Sequence, residues 1–507
     1  MHVIPLGAGQ DVGRSCILAT LEGRTIMLDC GMHMGYNDYR KFPDFSYISK
    51  QLGFNRLIDC IIISHFHIDH CGALPYFTEV LGYDGPIYMT HPTKAICQIL
   101  LEDTRKIARK NNDKMTYNKE DIENCMKKVI PINMNETYEH DVDFIIKPYP
   151  AGHVLGAAMF YVKVGCESLV YTGDYNTTPD RHLGGAWIDC LRPDLFITES
   201  TYGSTIRDCR KAKEREFLSS IYECVKNGGK VLIPTFALGR AQEMCLLIDS
   251  YWEKMNLSVP VYFTAGMAER ANQIYRLYIN YTNETIRKKI LERNLFEYKY
   301  IKSLDKGVID LPGPMVILAS PGMLHSGNSL NLFLKICHDK NNMIVIPGYC
   351  VRGTVGDKVL KGEKTIEVGK KIYDVNIKVK NLAFSAHADA KGIIELIKQC
   401  QPKNVMLVHG DKNCMKNLKA RIENNLRITT FAPENGTMVD IPKNTETEFV
   451  FSRDLLNGIL KENENKKDVS LACTAIVESY NNSNRFRIID IKNFILKKHD
   501  DDVHENQ

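Results

Sequence analysis

Six residues, His65-Phe66-His67-Ile68-Asp69-His70, put three imidazoles and a carboxylate directly behind the apolar run Cys60 to Ile63. A fold that uses this segment must gather a polar centre at the end of a buried strand. In an extended segment alternate side chains share a face. On that rule His65, His67 and Asp69 converge on one point, while His70, at the start of a following helix, reaches a second. Imidazole and carboxylate so arranged point to a hydrolytic centre built on two metal ions. The plainer reading, ordinary histidines at a strand end, leaves the rest of the chain unexplained.

The other groups such a centre needs stand in matching contexts. Ala151-Gly152-His153 follows a Tyr-Pro turn, Val170 to Asp174 is an apolar strand ending in an aspartate, and Val405 to His409 is another ending in a histidine. Taken singly, His153 and His409 read as packed or capping histidines and Asp174 as a turn residue. Together they supply the imidazole and carboxylate ligands that zinc accepts in catalytic sites, where one position is kept for water.

With these segments the chain resembles the metallo-β-lactamase fold superfamily and, within it, the β-CASP nucleases. The resemblance implies that His65, His67 and His153 hold one zinc and Asp69, His70 and His409 a second, with Asp174 bridging them. Gly7 to Ser15 and Leu28-Asp29-Cys30-Gly31 look like the first landmarks of that fold, with Asp29 supporting the site from behind. On its own, an Asp before Cys-Gly is a turn former.

Three further elements mark the nuclease branch: Ile197 to Tyr202 with Glu199, Phe384 to Asp389 with His387, and Val408-His409-Gly410. A histidine as the last ligand favours RNA, since DNA-processing members typically have valine there. Without the resemblance, Glu199 reads equally as a helix cap and His387 as part of a helical turn. His33 to Asp38, Phe42 to Tyr47, Thr178 to Gly184 and His387 to Gly392 look like the Integrator branch of the RNA-cleaving members. The polyadenylation endonucleases are the alternative. The resemblance runs almost continuously from residue 1 to about 445 and is weak beyond.

Composition is compatible with this reading and does not produce it. With 507 residues, 44% of them hydrophobic, several domains and large cores are expected. A net charge of +4 is too mild to announce nucleic acid, so an RNA track must be a local patch. The run Arg207, Arg210, Lys211, Lys213, Arg215, interleaved with acids, reads as a solvated helix face. The 16 cysteines form no Cys-x-x-Cys pair, and the N-terminus lacks the features of a signal peptide. Reduced thiols in a nucleus or cytoplasm follow as the expectation, and no stretch has the length of a membrane span.

The ligands come in two groups, His65 to Asp174 and then His387 and His409, so the chain must leave the metal domain and return. In between, Lys230 to Pro234, Val259 to Phe263 and Met315 to Ala319 each precede a helical pattern, as βα units of a separate parallel sheet would. The expected fold is α/β: a metallo-β-lactamase αββα sandwich with an inserted β-CASP α/β domain and a short C-terminal α/β segment. The boundaries read as 1–201 and 382–450 for the metal domain, 202–381 for the insert and 451–507 for a partner-binding segment with a disordered tail. The glycine-bearing loops Ser320 to Gly327 and Gly348 to Thr354 offer backbone amides for phosphate, with Arg352 as a possible phosphate ligand. Tight turns explain the same glycines as well.

The resemblance implies cleavage of single-stranded RNA to a 3′-hydroxyl and a 5′-phosphate by a two-zinc centre, with Glu199, His387 and Asp69 as the catalytic groups. It also implies a heterodimer with a catalytically inactive homologue, other Integrator-like subunits as partners, and no membrane. A catalytically silent scaffold and a small-molecule hydrolase are the readings from other classes. The intact ligand set disfavours the first. The large insert, with Glu199 and His387, disfavours the second.

Overall fold

The computed structural model describes residues 1–442 except 37, 50–52, 111–115, 206–209, 237, 265–266, 291–292, 306, 349, 351–352, 370, 383 and 385, and beyond these residues 450–452, 477–479 and 485–488. The first strands are β1 (His2–Gly7), β2 (Cys16–Leu21), β3 (Arg24–Leu28), β4 (Cys60–Ile62), β5 (Ile87–Thr90) and β6 (Val129–Ile132). They lie side by side in chain order, antiparallel as far as β3 and parallel from β3 onward. Helices α1 (Ile68–Cys71), α2 (His91–Lys110) and α3 (Lys119–Lys127) leave from this half. A second sheet begins with β7 (Tyr138–Asp141), β8 (Phe144–Pro150), β9 (Ala158–Val164), β10 (Glu167–Tyr171) and β11 (Leu195–Glu199).

The chain then builds a third sheet before returning. Its strands are β12 (Lys230–Pro234), β13 (Val261–Thr264), β14 (Ile301–Leu304), β15 (Met315–Ala319), β16 (Met343–Ile346) and β19 (Lys378–Asn381), after the hairpin β17 (Thr365–Val368) and β18 (Lys371–Asp374). The order is β14-β13-β15-β12-β16-β19, all parallel. Helices α4 (Arg210–Lys226), α5 (Arg240–Met255), α6 (Met267–Leu277), α7 (Glu284–Lys289), α8 (Gly327–Ile336) and α9 (Val355–Leu360) belong to this stretch. After it, β20 (Asn404–Val408) and β21 (Thr429–Phe431) extend the second sheet beside β11, and β22 (Val439–Asp440) pairs with β1 in the first. Helices α10 (Ala390–Cys400) and α11 (Lys412–Leu426) flank β20 in sequence.

The pleat explains the layering. Along β20, Met406 and Val408 join Ile26, Leu28, Cys60 and Ile62 in the core between the two seven-stranded sheets, while Val405 and Leu407 face α10 and α11. Strands buried on both faces read as unbroken apolar runs, and these sheets with outer helices form the αββα sandwich. The inserted sheet likewise has a core on each face, one with α4 and α5 and one with α8 and α9. Its α5 and α6 side is not independent: Leu238, Leu246, Ile274 and Tyr275 are buried in the same cluster as Val154, Leu155 and Ala388 of the sandwich.

The basic run is not a uniformly solvated face. Lys211 and Arg215 are exposed, but Arg210 turns inward to ion-pair with the buried Glu243 and with Glu214, because the carboxylate of Glu243 is 1% exposed and needs a cation. Arg207 lies outside the described residues.

A second compact unit spans Pro442–Gln507. Its described part is an antiparallel sheet in which β25 (Arg485–Ile488) lies between β23 (Val450–Ser452) and β24 (Val477–Ser479). Of the strand-like stretch Val469 to Val477 only the last residue is described, and of Arg485 to Phe494 only the first four. The polar tail is outside the described residues.

Candidate metal centre

Parallel pairing aligns the carboxyl ends of β10, β11 and β20, so Asp174, Glu199 and His409 emerge at one edge of the second sheet. The segment after β4 approaches from the first sheet. His67 caps α1, and the α1 backbone is clamped: Ser15 N–H donates to Asp69 O at 2.7 Å, Cys30 to His70 O at 2.8 Å, and Met32 to Ile68 O at 2.9 Å.

The alternation expected for the histidine motif fails at Ile68. Helix α1 starts there, so Asp69 leaves the face of His65 and His67. Two groups result. His65, His67, His153 and Asp174 are placed so that they could hold one metal ion, and Asp69, His70 and His409 a second, the donor atoms of each group lying within 4.8 Å of one another. Asp174 Oδ2 stands 3.8 Å from His65 Nε2, 3.8 Å from His153 Nε2 and 3.4 Å from His70 Nε2, and its Oδ1 is 3.4 Å from His409 Nδ1. It therefore touches both groups.

Ring orientation is set from outside. His70 Nδ1 lies 2.7 Å from Asp29 Oδ2, His153 Nδ1 is 2.8 Å from Ala386 O, and His65 Nδ1 is 3.0 Å from Ser64 Oγ. Each contact turns Nε2 inward, where His65 Nε2 and His153 Nε2 come within 3.1 and 3.2 Å of His67 Nδ1. Asp29 also accepts from Ser64 N at 2.7 Å, Ser64 Oγ at 2.7 Å and Tyr171 Oη at 2.6 Å, so its carboxylate is fully engaged behind the site. Carboxylates behind ligand imidazoles fix their tautomer and raise their basicity. Asp29 and His409 both sit at left-handed φ, 60° and 52°, where the chain bends sharply at a strand end.

The electrostatics match a cation site. Burial and the neighbouring imidazoles push His65 and His153 well below the ordinary histidine range, and burial takes His67 to about 4, so these three are neutral. Burial also disfavours charge on His70 and His409, but Asp174 and Asp69, with Asp29 for His70, outweigh it and raise both. Asp174 is held well below the carboxylate range by His409, His70 and His387 against the cost of its burial. The carboxylates thus demand positive charge between them, from protons or from divalent cations. His70 Nε2 and Asp174 Oδ1 are buried with no hydrogen-bond partner among the described residues, which fits atoms reserved for a metal.

Beside Asp174 stands a second device. His387 Nδ1 is 2.8 Å from Glu199 Oε2 and 3.7 Å from Asp174 Oδ2. Glu199 also accepts from Tyr175 N at 2.9 Å and Thr201 Oγ1 at 2.6 Å. Although it could join Asp174 and His409 in a third group, these bonds occupy its carboxylate. Burial opposes protonation of His387, yet Glu199 and Asp174 prevail and raise it. Sequence reasoning missed Thr201, whose hydroxyl joins Glu199 to His409 Nδ1 at 3.1 Å. It also missed Ser64 and Tyr171 behind Asp29. Thr201 and Tyr171 lie within motifs already noted and Ser64 between two of them, but nothing in residue type alone distinguishes them. Arg352 lies outside the described residues.

Fold and site define the class: a metal-dependent hydrolase of the metallo-β-lactamase superfamily carrying an inserted β-CASP module. Family models agree, matching a metallo-beta-lactamase superfamily domain over residues 18–196, a Beta-Casp domain over 241–359 and a Zn-dependent metallo-hydrolase RNA specificity domain over 372–433. A crystal structure of a protein of unknown function from Enterococcus faecalis V583 shares the fold, with TM-score 0.53 over 86% of this chain and 99% of that one, at 15% identity. More specifically, the chain is 57% identical to Integrator complex subunit 11 of Gallus gallus, over 90% of this chain and 76% of that protein. To cleavage and polyadenylation specificity factor 73 of Drosophila melanogaster it is 40% identical, over 87% of this chain and 65% of that protein. The chain belongs to the Integrator complex subunit 11 family.

Proposed function

We propose that this chain is a zinc-dependent endonuclease that cuts single-stranded nascent RNA, small nuclear RNA precursors among its substrates, in the nucleus as part of an Integrator-type complex. The observation that carries the reading is the His387–Glu199 pair set against Asp174, the carboxylate of the first ligand group, which also approaches His70 and His409 of the second at 3.4 Å. A hydrolase of small acyl compounds has no use for that pair. Membership of the Integrator complex subunit 11 family favours this substrate class over polyadenylation. Among the described residues no helix is long and apolar enough to cross a membrane.

In this proposal His65, His67 and His153 hold one zinc, Asp69, His70 and His409 the other, and Asp174 is shared. When bound, the pair supplies an activated water and neutralises charge on the scissile phosphate. Asp69, its side chain 29% exposed, would hold the attacking water with its remaining carboxylate oxygen and take up its proton. His387, protonated and held by Glu199, gives its proton to the departing 3′-oxygen, leaving a 3′-hydroxyl and a 5′-phosphate. Asp29 acts from behind the site, by holding His70 directly and Ser64, which in turn orients His65. The strand threads between the sandwich, residues 1–201 and 382–450 in this division, and the insert, residues 202–381. Residues 451–507 supply a β edge for a catalytically inactive homologue.

A substrate panel tests the assignment. The purified complex should cut single-stranded RNA, with no comparable activity on DNA of the same sequence or on an acyl thioester. Thioester hydrolysis without RNA cleavage would replace the reading, and inertness toward all three would make the chain a scaffold.

A further inference from the structure

The inserted sheet has a topological switch point that the proposed chemistry does not use. From β12 the chain runs through α5, on one face, to β13 beyond β15. From β15 it runs through α8, on the other face, to β16 beyond β12. β12 and β15 are neighbours, tied at their ends by Thr235 N–H donating to Ala319 O at 2.9 Å. Beyond that bond the helices that follow, α5 and α8, lie on opposite faces, while the loops still meet where Phe236 lies on Gly322. In open α/β sheets such a switch point at the carboxyl ends of the strands is where ligands bind.

Phe236, the second residue after β12, is 54% exposed at this switch point. Its ring lies on the backbone of Gly322 in the facing loop, where a Cβ would stand 3.5 Å from ring carbons Cδ2 and Cε2. Directly after β15, the shielded hydroxyl of Ser320 has no hydrogen-bond partner among the described residues. Two residues past Phe236 the same loop is anchored: Leu238 is buried in the core shared with Val154. A Cβ on Gly239 would lie 3.2 Å from Val154 Cγ1, and Val154 follows the ligand His153 directly. Phe236 is three residues from that contact, within about 10 Å along the chain. An exposed ring is ordinarily unremarkable. This one rests on Gly322 at a switch point, in the loop whose Gly239 meets Val154 next to His153.

We propose that the switch point between β12 and β15 is a nucleotide subsite, in which an unpaired base of the substrate stacks on the exposed face of Phe236. The proposal rests on the RNA endonuclease reading and adds a positioning residue to it. Stacking is tolerant of base identity because every base has a π-face, so the seat sets the register of the strand without reading sequence. Losing such a contact typically costs about 5- to 150-fold in affinity.

The experiment compares the full-length zinc-loaded protein with Phe236→Ala and Phe236→Tyr, using short single-stranded RNAs with one abasic position moved along the strand. Both binding and cleavage are followed. In the parent protein one abasic position should weaken binding about tenfold or more and slow cleavage at sub-saturating RNA. In Phe236→Ala that penalty should vanish against an already weakened background, and Phe236→Tyr should restore it. Melting temperature and zinc content should be unchanged in both variants. An identical abasic profile in parent and Phe236→Ala, with RNA still cut, would overturn the subsite and leave the endonuclease reading intact. A penalty that depends on Phe236 without cleavage would keep the subsite and overturn the endonuclease reading, and absence of both binding and cleavage would overturn both.

Discussion

At the scale of single residues, the site separates holding from acting. Asp29 accepts four hydrogen bonds, from Ser64 twice, Tyr171 and His70, and has no capacity left for the centre in front of it. His387 is the reverse case: its bond to Glu199 fixes the ring and raises its affinity for a proton. His387→Ala should therefore keep its zinc and lose cleavage by about 10²–10⁴-fold. An RNA with a thiolate leaving group, which needs little protonation, should recover most of that loss. Failure of this substrate to recover would mean that His387 positions RNA instead. The identities of these groups are legible in the sequence because chemistry restricts ligands to few residue types. Thr201, linking Glu199 to His409, is not: its role depends on a contact across 208 positions of chain.

At the scale of elements, the polar centre depends on short segments held without slack. Gly31 shows how tight the clamp on α1 is. A Cβ there would lie 1.7 Å from the Asp69 carbonyl oxygen, a backbone atom that cannot move without carrying the ligands with it. Gly31→Ala should cost about 1–3 kcal/mol or more and weaken zinc binding together with stability, as thermal melting and metal titration would report. A variant with the parent's melting temperature and zinc affinity would show that the clamp is not needed. The same segment shows where sequence patterns stop. Period-two alternation put Asp69 with His65 and His67, but α1 begins at Ile68 and turns it toward His70 and His409. A helix of four residues leaves no periodic signal. The βα units of the insert were legible because β12, β15 and α5 are long apolar or amphipathic stretches. The inward turn of Arg210 was not, since it answers to Glu243 on another helix.

At the scale of the whole molecule, candidate metal ligands drawn from both sides of the insert make the centre a property of the closed chain. The two apolar cores of the insert were foreseeable from its strands, whereas the core that α5 and α6 share with the sandwich depends on which helix faces meet. Among the described residues, every member of the two ligand groups precedes the compact unit Pro442–Gln507. Deleting residues 455–507 should accordingly leave zinc binding in place and abolish co-purification with the inactive homologue. Undiminished association would move that contact to the catalytic part of the chain. The central claim, hydrolysis of RNA by a paired metal centre, is tested most directly by titrating zinc into the metal-stripped complex while following cleavage of single-stranded RNA. Activity should stay near zero through the first equivalent per chain and appear with the second, giving 3′-hydroxyl and 5′-phosphate ends. Full activity at one equivalent, or cleavage unaffected by stripping the metal, would contradict it.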